Sequence, residues 1–484
     1  MRPRRSSVLT TATSFVLAFG LSIGAVSLGT IEGPEEVGQW SAPIDVGVIG
    51  IHAALLPNGK VLLFEHIYTQ GKGNLAKVFD PVTLQVTDVT LPYQRNVFCG
   101  GHVFLPNGQL LISGGEIELN PGGEVGEGTP DSTLFDWTTN TWTETGRMSF
   151  ARWYPTDISL GDGSQLVFSG RDERGQERIK QVERYNAATG SYTTLPPSAD
   201  QDTNGLYPRM LLTTDGKVFL AGPDRNTRMF NPSNNTWAAM DKMNYGRREA
   251  GGVVMLPDLH TVLTAGGSST NTAEIIDLND PTPQWQYTDP MAFVRNHGNY
   301  TLLADGTVLA TGGGTDPLPG PPALEAELYD PSTGTWSTMA AQQVDRQYHS
   351  TAVLLPDGRV LSTGDDDGLP GEMTTVEIYS PPYLFRGPRP KIRSVPASIR
   401  YNDGFRVRTR QAAEIQRVAL IRPTATTHGF NMDQRYVDLD FSLVSGNLAV
   451  DAPSNGNIAP PGYYMLVILN RNGVPSIAKF VHLD

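Results

Sequence analysis

Pairs of short apolar runs flanking a Pro-Asn-Gly or Pro-Asp-Gly turn recur along this chain with little variation. The clearest copies are Ala53-Ala-Leu-Leu-Pro-Asn-Gly-Lys-Val-Leu-Leu-Phe64, Val103-Phe-Leu-Pro-Asn-Gly-Gln-Leu-Leu-Ile-Ser-Gly-Gly115 and Thr351-Ala-Val-Leu-Leu-Pro-Asp-Gly-Arg-Val-Leu-Ser-Thr-Gly364. Runs this short, bounded by turn residues, are strands buried in a sheet rather than helices. An Asn-Gly or Asp-Gly pair between two of them predicts a hairpin with positive φ at both central residues. A third strand follows, as in Glu327-Leu-Tyr-Asp-Pro331, and a fourth, as in Thr335-Trp336-Ser337.

Variants of the phrase at 157–170, 210–222, 252–267 and 300–313 bring the units to seven. Their turn glycines, Gly59, Gly108, Gly163, Gly216, Gly306 and Gly358, imply a period of roughly 45–55 residues, the fifth unit carrying Asp258-Leu-His instead, and such a period marks a propeller blade. Trp142, Trp237, Trp285 and Trp336 occupy fourth strands, but the seventh unit ends at Tyr379-Ser-Pro-Pro-Tyr without one. Trp40 is placed to supply it, which predicts that residues near 38–47 form the outer strand of the last unit. The expected fold is all-β: a seven-bladed kelch-type β-propeller over 38–385, then, after the Pro-rich break at Pro388-Arg-Pro390, an immunoglobulin-like β-sandwich over 388–484.

Composition agrees with many tight turns, since 51 Gly and 36 Pro stand among 484 residues. A formal charge of −13 with no concentrated basic face excludes nucleic acid and anionic membrane surfaces as partners. Residues 1–30, Met1-Arg-Pro-Arg-Arg followed by an uncharged apolar stretch, read as a signal peptide or membrane anchor and imply an extracytoplasmic protein, secreted or attached to the cell surface. Any membrane contact would be through that segment.

In an oxidising compartment a lone thiol needs an explanation, and Cys99 is the only cysteine. It leads into a first strand, as do Arg152-Trp-Tyr154-Pro-Thr and Arg346-Gln-Tyr348-His349-Ser in later units. A ring of such units brings all three to one end of its axis. Tyr348 and His349 are adjacent, so on a regular strand they would point apart; both can meet one ion only ahead of the strand. His428, in Thr427-His-Gly-Phe-Asn-Met-Asp-Gln-Arg435, lies beyond the repeats and reaches the same place only if a hairpin of the C-terminal module inserts along the axis. His52, His66, His102, His260, His297 and His482 are assigned surface or structural roles, with His102 and His297 nearest the axis.

These segments together resemble the copper radical oxidases, the family of galactose oxidase and glyoxal oxidase. Cys99-Gly-Gly, Arg152-Trp-Tyr-Pro-Thr156, Tyr348-His349, Thr427-His...Asp-Gln-Arg435, Pro460-Pro-Gly-Tyr-Tyr-Met-Leu and Gly473-Val-Pro-Ser carry the likeness, which is closer to the glyoxal oxidase branch. The resemblance implies that Cys99 and Tyr154 are joined by a thioether, that Tyr154 is a copper ligand and radical carrier, that His349 and His428 are imidazole ligands, and that Tyr348 is an axial phenol taking the substrate's proton. Two nitrogens with phenolate oxygens suit Cu(II). Copper moves one electron, so a Cys-Tyr radical cofactor would accept the second. The implied activity is oxidation of small aldehydes, as hydrates, or primary alcohols, with O2 reduced to H2O2.

The chain departs from galactose oxidase in two ways. The stretch Ser169-Gly-Arg-Asp-Glu173 has no tryptophan where that enzyme covers its modified tyrosine, and no amino-terminal carbohydrate-binding domain precedes the repeats. Galactose is therefore a poor substrate candidate. The alternatives are a primary alcohol or carbohydrate oxidase of the same family and, in a different class, a non-catalytic kelch-type binding scaffold, which would require none of Cys99, Tyr154, Tyr348, His349 and His428.

Overall fold

The computed structural model describes residues 33–484 except 67–73, 93–94, 118–125, 319 and 367–372. The leader over 1–30 lies outside the described residues, and no helix among them is long and apolar enough to cross a membrane. The architecture is all-β, and its sheets are open.

Five sheets are four-stranded meanders in which each strand pairs antiparallel with the next, beginning at Gly101–Phe104, Thr156–Ser159, Met210–Leu212, Gly252–Met255 and Asn299–Leu302. A sixth begins at His52–Leu55. The seventh, beginning at Ser350–Leu354, takes its outer strands from the start of the chain: Gln39–Trp40 and Ile44–Asp45 both pair with Thr375–Ser380. Trp40 stands opposite Tyr379 with ring centroids 5.0 Å apart, and its indole N–H donates to the Ala340 carbonyl at 2.8 Å. The outer strand expected from Trp40 is thus present.

The first two strands of each sheet are buried on both faces, which explains their unbroken apolar runs, whereas fourth strands such as Thr141–Glu144 are mostly exposed. First strands of several successive sheets are neighbours, Ser350–Leu354 lies beside His52–Leu55, and Ala425–Thr427 contacts both His52–Leu55 and Gly101–Phe104.

The hairpin turns differ from expectation. Gly59 adopts φ +82° and its N–H donates to the Leu56 carbonyl, but Asn58 keeps a negative φ, as do Asn107 and Asp357. The loop is a type I turn closed by a left-handed glycine; Pro57 suits its first position, and Gly163, Gly216 and Gly306 close the same turn in units without a proline there.

Beyond residue 390 a five-stranded and a three-stranded sheet enclose a common apolar core that includes Val407, Val418, Leu420, Leu448, Leu466 and Ile468. One excursion leaves this pair. The hairpin of Ala425–Thr427 and Phe430–Asn431 crosses to the sixth sheet and pairs with its first strand, His52 opposite Thr427.

Buried ion pairs hold the segments that precede several first strands. Arg152–Glu183, Arg248–Glu274 and Arg295–Glu327 meet at 2.9, 2.7 and 2.8 Å, and Arg346 lies 3.8 Å from Glu377. Each guanidinium also donates to a backbone carbonyl of its own sheet, at Ser169, Gly266, Gly312 and Gly364 respectively. Charge-assisted bonds of this kind fix the backbone where the side chains described next project.

Candidate metal centre

One residue ahead of most first strands lies in the left-handed region: Cys99 (φ 58°), Tyr154 (62°), Tyr207 (44°), Ala250 (54°), His297 (60°) and His349 (64°). A non-glycine residue there is strained by roughly 1–2 kcal/mol. Backbone hydrogen bonds link several of them from one sheet to the next: Tyr154 N–H to Cys99 carbonyl at 2.9 Å, Tyr207 N–H to Tyr154 carbonyl at 3.0 Å, and His297 N–H to Ala250 carbonyl at 2.9 Å. The seventh member is His428. It forms, with Gly429, a two-residue turn with φ 52° and 70° between Thr427 and Phe430, the doubly left-handed geometry absent from the Asn-Gly hairpins.

All five residues singled out from the sequence converge. Ring or sulfur donor atoms of Cys99, His349 and His428 lie within 4.8 Å of one another, and Cys99 Sγ is 3.6 Å from His428 Nε2. The Tyr154 and Tyr348 hydroxyls are 2.6 Å apart. Tyr348 and His349 precede the strand, as adjacent ligands require, with stacked rings 3.7 Å apart.

Both imidazoles are held in the tautomer a metal needs. His349 Nδ1 donates to Asp366 Oδ1 at 2.7 Å, because a carboxylate only accepts. Its Nε2 is buried and has no hydrogen-bond partner among the described residues. Thr427 Oγ1 donates its single proton to the Ile51 carbonyl at 2.9 Å, so toward His428 Nδ1, 2.6 Å away, it accepts. His428 Nε2 therefore also keeps its lone pair. Outer hydrogen bonds of this type orient ligating histidines.

Burial pushes the Tyr154 phenol and the Cys99 thiol well up, and it drives His428 well below the usual histidine range, with His349 and His52 adding to the fall. A cation reverses that balance for the phenol and is welcomed by the neutral imidazoles. Two nitrogens that each keep a lone pair for a metal, beside phenol oxygens, fit Cu(II).

Four more residues surround these five, of which the sequence places only His297 near the axis. His52, assigned a structural role, accepts the Cys99 N–H on Nε2 at 3.0 Å. Tyr207 packs against Tyr154 and His428 with centroids 4.5 and 5.0 Å away, and its hydroxyl donates to the Gly100 carbonyl at 3.1 Å. Trp153 lies 4.0 Å from the Tyr154 ring with Arg171 5.3 Å over it, so a tryptophan does meet this tyrosine, supplied by the preceding residue rather than by 169–173. His297 sits edge-on to Tyr348 at 4.8 Å, its pKa lowered to about 4 by burial, His349 and Arg209. A pocket of about 220 Å³ opens onto the cluster, lined in part by Trp153, Arg171, Arg209, Ala250, His297 and Tyr348.

Residues 74–257 match the family described as glyoxal oxidase N-terminus, and residues 389–483 match the galactose oxidase-like, early set domain. The chain is 29% identical to a galactose oxidase of Gibberella zeae over 92% of its length and 71% of that protein. It is 30% identical to the aldehyde oxidase GLOX of Vitis pseudoreticulata over 80% of its length and 82% of that protein. The chain belongs to the copper radical oxidases. The fold of this oxidase is shared with a fungal alcohol oxidase solved in complex with copper, at 24% identity and a TM-score of 0.81, over 93% of this chain and all of that one. Membership makes the protein an oxidase acting on alcohols or aldehydes.

Proposed function

We propose that this is an exported, glyoxal-oxidase-like copper radical oxidase that converts small aldehyde hydrates or primary alcohols with O2 as acceptor. For a hydrate the balance is R–CH(OH)2 + O2 → R–COOH + H2O2, and for an alcohol R–CH2OH + O2 → R–CHO + H2O2. The carrying observation is the convergence of Cys99, Tyr154, Tyr348, His349 and His428 on one buried point from four separate parts of the chain.

Tyr154, Tyr348, His349 and His428 would hold the copper, and a thioether between Cys99 and Tyr154 would lower the potential of the Tyr154 radical. Bound copper supplies acceptance of one of the two electrons; Tyr154 supplies the other. Tyr348 would take the substrate hydroxyl proton, its hydroxyl already hydrogen-bonded to that of Tyr154. The pocket over the cluster would bind the substrate, and its modest size and the aldehyde oxidase relative favour small aldehydes over sugars. We further assign residues 1–30 as a signal peptide or anchor, 38–385 as a seven-bladed kelch-type propeller and 388–484 as the immunoglobulin-like module contributing His428.

Copper loading of the full chain in air, followed by intact-mass measurement and peptide mapping, tests the assignment. The expected result is a Cys99–Tyr154 cross-linked peptide and loss of two hydrogen atoms, absent in Cys99→Ser. An alkylatable Cys99 after full loading would refute it.

A further inference from the structure

The pocket above the cluster is walled by two of the left-handed positions that carry no assigned role. Ala250 is the one small side chain among Cys99, Tyr154, Tyr207, Ala250, His297, His349 and His428, and it leaves room where every other member of the set projects a larger group. Next to it in the ring, His297 presents a largely buried imidazole to the same pocket, beside Tyr348. No hydrogen bond to its ring nitrogens is found among the described residues, so an acceptor and a donor are both available to a ligand.

An aldehyde hydrate carries two hydroxyls on the reacting carbon. One is placed at the Tyr348 hydroxyl for deprotonation; the other is desolvated on entering the pocket and loses about 1–3 kcal/mol if it finds no partner. A primary alcohol has a hydrogen atom at that position and gains nothing from a partner there. We propose that His297 is a specificity-determining residue that accepts a hydrogen bond from the second hydroxyl of an aldehyde hydrate, in the space left by Ala250. The assignment rests on the oxidase reading above and names its substrate class: the hydrated aldehyde rather than the primary alcohol.

The test compares glyoxal with ethylene glycol, two-carbon substrates that differ at the reacting carbon, using copper-loaded wild type, His297→Phe and His297→Gln. Copper content and the Cys99–Tyr154 cross-link are measured for each. Loss of a bond worth 1–3 kcal/mol corresponds to roughly 5–150-fold, so the glyoxal-to-glycol ratio of kcat/KM falls by about that factor in His297→Phe, and His297→Gln recovers part of it. Equal losses on both substrates, or a ratio that does not move, overturn the role of His297 and leave the oxidase assignment standing. A wild type that binds copper without cross-linking overturns both.

Discussion

The two ends of each first strand answer different demands. At the hairpin end the chain repeats itself: Gly59, Gly108, Gly163, Gly216, Gly306 and Gly358 all take φ between 82° and 88°. At the opposite end the corresponding left-handed residues are Cys, Tyr, Tyr, Ala, His and His. Both ends need the same unusual backbone, but only one is filled by the residue that adopts it freely. The cost is accepted where the side chain is required, and at Tyr154, Ala250, His297 and His349 a buried arginine just upstream, beside its glutamate, holds the backbone against it. Leu259, the left-handed residue of the fifth hairpin, shows that the turn end also tolerates a side chain, there because Leu259 packs against neighbouring apolar clusters.

The largest effect that separates the two ends is expected for Tyr348→Phe. Removing the hydroxyl that faces Tyr154 leaves the ring stack on His349 in place but deletes one of the four proposed copper donors, so copper affinity falls and kcat of the fully loaded variant falls by about 10²–10⁴, read by peroxide release. Next comes Thr427→Val, which takes away the acceptor that orients His428. Copper affinity, measured by chelator competition, drops about 10–100-fold, and folding stability falls by about 1–3 kcal/mol because the buried Ile51 carbonyl also loses its donor. The smallest is at the hairpin end. Gly358→Ala places a methyl at φ +82° and lowers stability to urea by about 1–2 kcal/mol, while activity per folded molecule stays as in wild type. If Gly358→Ala altered the substrate ratio, or Thr427→Val cost only stability, the division of labour between the two ends would be wrong.

Much of this was legible in the sequence because repetition exposes exceptions. Cys99, Tyr154 and His349 stand out against a recurring apolar phrase, and Trp40 against a unit that lacks its tryptophan. His428 stood out in the sequence and the hairpin it would need was foreseen, but its role came only through resemblance, since nothing in residues 425–431 announces that the hairpin pairs with His52–Leu55. His297, placed near the axis from the sequence, carries a further signal: Arg152, Arg248, Arg295 and Arg346 each stand two residues before Tyr154, Ala250, His297 and Tyr348. Tyr207 has no such arginine ahead of it. Trp153 was hidden for a different reason, because a residue next to a ligand in sequence is expected to face away, and the left-handed turn at Tyr154 cancels that expectation. The Asn-Gly turns were misjudged because a three-residue loop, with only its glycine left-handed, joins these strands in units with and without the proline.

The pairing of residue 427 with the first unit also sets a timetable for biosynthesis. Thr427 and Ile51 are 376 positions apart, and His428 joins the other donors only after that contact forms. Contacts so distant in sequence are made late. A growing chain therefore carries Cys99, Tyr154 and His349 for most of its synthesis as an incomplete donor set. The oxidative maturation proposed above would thereby wait until the chain has been made past residue 428 and that hairpin has docked, and a shorter product would be spared the chemistry that its thiol and phenol invite.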